Sequence, residues 1–146
     1  MGSKSAHPEN VLSQKAAILD NKGNILLVRR SISDRYLPGI WEFPGGKADP
    51  GSSLLENLRR ELSEEIRRKA RIINFLYVHD RPFTKNHPRH SGDRSVVLFY
   101  KMRLVGRRDG LRLSDEHSAF KWVRPEKALK TRLPPGTKKA LRLALS

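Results

Sequence analysis

The chain has no cysteine, no long apolar run, and half as many acidic as basic residues. The absence of cysteine excludes a disulfide scaffold, a zinc-thiolate site and a cysteine nucleophile. No apolar run reaches the length of about 18 residues that a membrane-spanning helix requires, so a transmembrane segment is excluded. We therefore expect an intracellular, cytoplasmic protein that has no membrane partner.

The positive charge is large and unevenly distributed. The 146 residues include 30 Lys and Arg against 15 Asp and Glu, which gives a net charge of +15 at pH 7. This excess favours anionic partners, nucleotides and nucleic acids among them. Residues 101–146 carry a net charge of +9, whereas residues 41–70 are neutral because six acids match six bases. The acids of that segment either form ion pairs on a solvated helix or cluster at a functional site.

A single domain is expected, because 37% hydrophobic residues are enough to close one core but hardly two. Residues 1–12 are polar and are predicted to form a flexible arm that precedes a domain over residues 13–146. Within that domain, Ser53 followed three residues later by Glu56 gives a capping-box signature. The apolar residues that follow fall on one face of a helix, which we predict over residues 53–68.

Strands are predicted on both sides of this central helix, and a second helix at the end. The predicted segments are a hairpin over residues 15–30, strands over 39–43, 72–78, 95–104 and 120–123, a loop over 80–93 and a terminal helix over 137–145. This order indicates an α/β fold in which helices cover a mixed sheet.

Three glutamates of the central helix form the strongest chemical signal. Glu61, Glu64 and Glu65 stand at positions i, i+3 and i+4, so they project from one face of the helix. Carboxylates this close repel one another, and a hard divalent cation such as Mg²⁺ or Mn²⁺ relieves the repulsion. The structural alternative is that Arg60 pairs with one of them. Just before the helix, Gly45 and Gly46 offer bare backbone that can approach a metal or a phosphate.

These residues together resemble the signature of the Nudix hydrolase family, G-x5-E-x7-R-E-U-x-E-E-x-G-U, in which U is aliphatic. The matching positions are Gly46, Arg60, Glu61, Leu62, Glu64 and Glu65. The surrounding segment Trp41–Lys47 also resembles the family. Three positions depart from the signature, since Ser52 replaces its first Glu, Arg67 its second Gly and Arg68 its last aliphatic residue. With Arg at position 67, we expect the helix to continue or to end without a left-handed glycine cap.

The resemblance covers roughly residues 14–145 and implies an α/β/α sandwich with a mixed β-sheet. It implies Mg²⁺ or Mn²⁺ as the cofactor, with five ligands: the Gly45 carbonyl, Glu61, Glu64, Glu65 and Glu116. It also implies that Arg60 orients a carboxylate, and that Glu61, Glu64 or Glu116 accepts a proton, a choice that stays open.

The implied reaction is hydrolysis of a nucleoside diphosphate linked to another group, and we expect a nucleoside triphosphate cleaved to monophosphate and pyrophosphate. Arg29 or Arg30 would meet the phosphate tail, unless each is only a solvated strand end. Trp41 or Phe43 would stack on the base, unless each belongs to the core.

The histidines match no zinc-site spacing, so we expect them to be solvated and assign no role to them: His79, His87, His90 and His117. Two other functions stay open. One is hydrolysis at an RNA 5′ end, which the net charge favours. The other is a non-catalytic nucleotide- or RNA-binding module, which the departures from the signature favour. The oligomeric state does not follow from the sequence.

Overall fold

The computed structural model describes residues 8–146. Residues 1–7, which belong to the predicted arm, lie outside the described residues. The elements are β1 (Asn10–Leu19), β2 (Ile25–Arg30), β3 (Trp41–Glu42), β4 (Gly45–Lys47), α1 (Leu54–Ile66), β5 (Ala70–Pro82), β6 (Arg94–Leu104), β7 (His117–Val123), α2 (Pro125–Ala128) and α3 (Thr137–Ala144). Within residues 8–146, no helix is both long and apolar enough to cross a bilayer.

The strands form one mixed sheet. Its order is β3-β2-β1-β6-β5, with β4 paired to β1 and β7 paired to β2. Strands β1 and β6 run parallel, and the other pairs are antiparallel. The predicted mixed sheet is therefore confirmed.

Helices cover both faces of this sheet. Alternate residues of a strand point to opposite faces, and β1 shows this directly. Ala16 and Ile18 belong to a buried cluster with Leu58, Leu62 and Ile66 of α1. Their neighbours Ala17 and Leu19 belong to a second cluster, with Ala140, Leu141 and Ala144 of α3. The α/β/α sandwich is confirmed.

Strands β1, β5 and β7 extend further than predicted, β7 beginning at His117 instead of residue 120. Strand β1 begins at Asn10, because residues 10–12 pair in parallel with residues 94–96 of β6. The last three residues of the predicted arm therefore belong to the sheet. Strand β5 reaches Pro82, which pairs with Arg94, so the predicted loop is shortened to residues 83–93. Residues 79–82 of β5 include no aliphatic residue, so the apolar pattern did not reveal that extension, whereas residues 11 and 12 of β1 are apolar.

Helix α1 begins as predicted and ends two residues early. The Ser53 hydroxyl oxygen accepts the Glu56 backbone N–H at 3.3 Å. At the other end Arg67 adopts the left-handed conformation, with φ 52° and ψ 39°, and its N–H donates to the Ser63 carbonyl. The helix thus does not continue. It ends with the left-handed geometry that usually belongs to glycine, adopted here by an arginine.

The loop before β7 satisfies the last carbonyls of α1. The Ser114 N–H donates to the Glu65 carbonyl at 3.0 Å, and the Arg112 N–H donates to the Ile66 carbonyl at 3.2 Å. This backbone contact brings the start of β7, and Glu116 just before it, to the C-terminal end of α1.

Candidate active site

Gly45 forms a hydrogen bond with the buried carboxylate of Glu65. Its backbone N–H donates to Glu65 Oε2 at 2.8 Å. Gly45 has φ +145°, and a Cβ at this position would overlap the carbonyl oxygen of Gln14. Only glycine therefore allows β4 to approach β1 closely enough to present this N–H.

The side chain of Glu65 is almost completely removed from water, with 3% exposure. Burial raises its pKa to about 7, although the charges of Lys15 and His117 and the Gly45 hydrogen bond act in the opposite direction. A buried carboxyl group with a raised pKa is a common mark of a functional site, because a bound cation would stabilise its ionised form.

Glu61 lies beside Gly46 and close to two other carboxylates. A Cβ on Gly46 would come within 2.8 Å of Glu61 Oε2, so the bare glycine backbone makes room for this side chain. The pKa of Glu61 is raised by partial burial and then by the charges of Glu64 and Glu116. Glu64 itself is exposed. The repulsion predicted from the helical spacing is therefore present, and Glu116 adds to it.

Glu116 joins this group from β7 and its preceding loop. Ligand atoms of Glu65, Glu116 and His117 all lie within 4.8 Å of one another. We refer to Glu61, Glu64, Glu65 and Glu116 as the acidic cluster. The structure brings together the four carboxylates that the resemblance implied, from two elements far apart in the chain.

His117 is a site residue that the sequence analysis missed. It is buried rather than solvated, and its Nε2 lies 2.9 Å from Glu42 Oε2. The pairing of β7 with β2, which places His117 opposite Arg30, creates this contact. Its position next to Glu116 was the one available sequence signal.

Glu42 is a second buried carboxylate, and its pKa moves in the direction opposite to that of Glu65. Burial raises the pKa of Glu42, but Lys15, His117 and Arg30 outweigh this effect and hold it at about 2. Lys15 Nζ lies 3.5 Å from Glu42 Oε1, and Arg30 Nη1 lies 3.4 Å from the same atom. Glu42 is therefore a permanently ionised partner beside the acidic cluster.

Arg60 binds the loop before α1 rather than a helix glutamate. Its Nη2 lies 3.3 Å from Asp49 Oδ2, and its Nη1 donates to Ser52 Oγ at 3.4 Å. Within residues 8–146, Arg60 forms no ion pair with the acidic cluster, although its charge lowers the pKa of Glu61. Asp49 thus supplies an acid close to Ser52, the position where the signature has its first Glu.

The two predicted phosphate-binding arginines hold the loop over residues 31–40. Besides contacting Glu42, Arg30 donates from Nε to the Tyr36 carbonyl at 3.0 Å and lies 3.6 Å from Asp34. Arg29 donates from Nε to the Gly39 carbonyl at 3.0 Å, and its side chain is exposed. Arg30 therefore has a structural role, and Arg29 is the more available of the two for binding a ligand.

Of the two predicted stacking residues, Phe43 is in the core. It is 1% exposed and packs edge-to-face on Phe99, with ring centroids 6.3 Å apart. No face of the Phe43 ring is open to a base, so its assignment to substrate binding is corrected. Trp41 is half-buried, and Lys121 Nζ lies 4.1 Å from its ring centroid.

Comparison with known proteins agrees with this geometry. A family profile described as NUDIX domain matches residues 11–144. The chain belongs to the NUDIX family. Within the family, it is 34% identical over 120 residues to CTP pyrophosphohydrolase of Escherichia coli strain K12, which covers 82% of this chain and 81% of that protein. It is 26% identical over 128 residues to nucleoside triphosphatase NudI of an Escherichia coli O17:K52:H18 strain, with 86% and 91% covered.

Solved structures of NUDIX proteins share the fold. The MutT protein from Methanosarcina mazei Go1 superimposes with a TM-score of 0.77 at 27% identity, over 94% of each chain. The NUDIX domain of Shewanella oneidensis NrtR, complexed with ADP ribose, gives a TM-score of 0.75 at 21% identity, over 98% of this chain and 91% of that one. The NUDIX profile and the hydrolase relatives together identify the chain as a Nudix hydrolase that acts on phosphoric anhydride bonds. A non-catalytic binding module is therefore set aside.

The donor set of this NUDIX site suits a hard divalent cation. The acidic cluster offers carboxylate oxygens, and the raised pKa values of Glu61 and Glu65 show that their negative charges are not fully compensated by the residues around them. Oxygen donors of this kind are the ligands that Mg²⁺ and Mn²⁺ prefer. The residues present therefore fit the class of cofactor that the resemblance implied.

Proposed function

We propose that the chain hydrolyses nucleoside triphosphates to nucleoside monophosphate and pyrophosphate, with Mg²⁺ or Mn²⁺ as cofactor. The proposed ligands are the Gly45 carbonyl, Glu61, Glu64, Glu65 and Glu116. The observation that carries this proposal is the buried Glu65 carboxylate, which accepts the Gly45 N–H at 2.8 Å and whose ligand atom lies within 4.8 Å of that of Glu116. The names of two relatives, a CTP pyrophosphohydrolase and a nucleoside triphosphatase, support the substrate class.

The bound cation would supply positive charge that offsets the phosphate oxygens and acidifies the attacking water. We propose Glu61, which is half-buried beside bare backbone and close to Glu64 and Glu116, as the group that accepts the proton of that water. Gly45 fixes the Glu65 carboxylate, and Glu42 fixes the His117 ring beside it. Arg60, bound to Asp49, holds the loop over residues 48–53 against α1.

Arg29 of β2 is in register with Trp41 of β3, so the groups that we propose for the phosphate tail and for the base lie side by side on one face of the sheet. Arg29 is exposed, and within the described residues its Nη groups have no hydrogen-bond partner. We propose Arg29 as a ligand of the phosphate tail. Trp41 and Lys121, which contact each other, are exposed enough to meet the nucleoside.

The test is pyrophosphate release from a panel of nucleoside triphosphates in Mg²⁺, beginning with CTP. Glu65→Gln and Glu61→Gln should each lower kcat by roughly 10²-fold or more, because each removes a charge from the acidic cluster. Glu56→Gln is the matched control, since Glu56 lies exposed in the first turn of the same helix. An unchanged rate in Glu65→Gln, or release of orthophosphate instead of pyrophosphate, would contradict the proposal.

A second candidate substrate is the 5′ end of RNA, favoured by a basic groove. Two neighbouring cavities of about 500 and 510 Å³ share the segment over residues 132–135. The basic side chains that line them are Arg35, Arg81, Arg132, Lys138 and Lys139, and no acidic residue is among the lining residues. Within residues 8–146 none of these five is paired with a carboxylate.

Salt dependence separates the two candidates. Each phosphate contact with a single strand contributes about 0.7 to the slope of log affinity against log salt concentration. Arg132→Gln should reduce that slope by about 0.7 for a 5′-triphosphorylated oligonucleotide. The control Arg107→Gln should leave it unchanged, because the Arg107 side chain is 88% exposed and lies outside the groove. RNA would be ruled out as the substrate if activity on free nucleotides were insensitive to salt and the oligonucleotide bound no more tightly than a free nucleoside triphosphate.

A further inference from the structure

Lys15 places a positive charge inside the acidic site. It lies on β1, in register with Gly45 of β4. Its Nζ is 3.5 Å from Glu42 Oε1, and its side chain is 20% exposed. The Lys15 charge also lowers the pKa of Glu65 and of Glu61, which agrees with its position between Glu42 and the acidic cluster. Neither the family signature nor the apolar pattern of β1 marks this residue.

Glu42 has two partners besides Lys15, although the Lys15 charge is the largest of the effects that lower its pKa. The carboxylate already has His117 Nε2 at 2.9 Å and Arg30 Nη1 at 3.4 Å. The 3.5 Å separation from Lys15 Nζ exceeds the roughly 2.7–2.9 Å of a strong charge-assisted hydrogen bond. An ammonium group has three N–H donors, and within residues 8–146 none of them makes a hydrogen bond. The Lys15 donors are therefore available to a ligand.

We propose that Lys15 is a substrate-binding residue whose ammonium group contacts a non-bridging oxygen of the substrate's diphosphate. A flexible ammonium group acts as a point charge and is a common phosphate ligand. The carboxylates around it repel an anionic substrate, and a fixed cation among them reduces this repulsion. The identification of the ligand as a diphosphate rests on the proposed function.

The experiment uses two probes and separates the role of Lys15 in binding from a role in folding. The first probe is an α,β-methylene analogue of the nucleoside triphosphate, bound in the presence of Mg²⁺. The second is Mn²⁺ alone, measured by calorimetry or electron paramagnetic resonance. The variants are Lys15→Met, Lys15→Arg and, as the matched control, Lys22→Met, since Lys22 lies in the exposed turn just beyond the other end of β1.

If the proposal is right, Lys15→Met weakens analogue binding by roughly tenfold or more, the effect of one charge-assisted hydrogen bond. Its affinity for Mn²⁺ stays the same or rises, because a competing cation has been removed. Lys15→Arg recovers most of the analogue affinity, and Lys22→Met resembles the wild type.

Two results would overturn the proposal: unchanged analogue binding in Lys15→Met, or a parallel loss of analogue and Mn²⁺ binding, which indicates a structural role. Should Lys15→Met not fold, Lys15→Gln is judged by the same two affinities. Failure of the proposed function is distinguishable, because it would appear as a wild-type protein that binds the analogue but releases no pyrophosphate from the triphosphate.

Discussion

In the metal-free protein, replacing Glu65 by Gln should increase stability at neutral and alkaline pH. The Glu65 carboxyl is 3% exposed, and burial raises its pKa from 4.5 to about 7. At pH values between 4.5 and about 7, Glu65 of the folded chain keeps a proton that the unfolded chain has released. Stability therefore falls as the pH rises from about 4.5 to about 7, and the loss is complete above pH 7.

The size of this loss follows from the two pKa values. At about 1.4 kcal/mol for each pH unit, the interval from 4.5 to about 7 corresponds to about 3 kcal/mol. Glutamine keeps the shape and can still accept the Gly45 N–H, but it never ionises. Glu65→Gln should therefore be about 3 kcal/mol more stable than the wild type at pH 8, and close to it at pH 4.5.

The assay is thermal unfolding in EDTA at both pH values, where 1 kcal/mol is worth roughly 2–4 °C for a chain of this size. Glu42→Gln is the matched control, because the pKa of Glu42 is held at about 2. Its ionised form contributes stability above pH 4.5, so this variant should be less stable at both pH values. A Glu65→Gln protein that is less stable than the wild type at pH 8, or whose advantage does not change with pH, would refute the reasoning.

Two further predictions concern the departures from the family signature. Arg67→Gly should stabilise the chain by roughly 0.5–1 kcal/mol, because Arg67 is left-handed at φ 52° and glycine adopts this conformation without steric cost. Urea unfolding measures the change in stability, and the control Arg59→Gly, in the exposed middle of α1, should destabilise the chain instead. An Arg67→Gly protein no more stable than the wild type would contradict the prediction. Asp49→Asn should lower the free energy of unfolding by less than about 1 kcal/mol, since the ion pair of Asp49 with Arg60 is exposed. Adding Ser52→Glu to this variant should restore the lost stability. A double-mutant cycle that shows no coupling between positions 49 and 52 would contradict the prediction.

The parts of the fold that local patterns specify were predictable from the sequence. The Ser53 cap and the apolar stripe of α1 depend on residues three and four positions apart, so they located the helix and its glutamates. The boundaries that were missed depend on distant partners. Asn10 joins the sheet because it pairs with Arg94, which lies far away along the chain.

The same distinction explains which site residues were missed or misassigned. Trp41 and Phe43 lie two residues apart and pack on the same core cluster, with Phe43 inside it and Trp41 half-buried at its edge, a difference that their similar chemistry does not reveal. His117 becomes a partner of Glu42 through the pairing of β7 with β2. Sequence spacing identified the groups that act as neighbours on one helix, whereas contacts between strands determine which groups surround them.

The two buried carboxylates, Glu42 and Glu65, show how the chain divides its charges at this site. Glu42 receives Lys15, Arg30 and His117 as partners, so its pKa falls to about 2 and it stays ionised without a ligand. Glu65 receives one backbone N–H, and its pKa rises to about 7. Lys15 and His117 also act on Glu65, but within the described residues no cation forms an ion pair with it and burial outweighs their effect, so Glu65 retains the capacity to bind a cation. The acid-rich segment inside a chain of net charge +15 is therefore arranged to leave specific carboxylates uncompensated, which ion pairing on a solvated helix would not do.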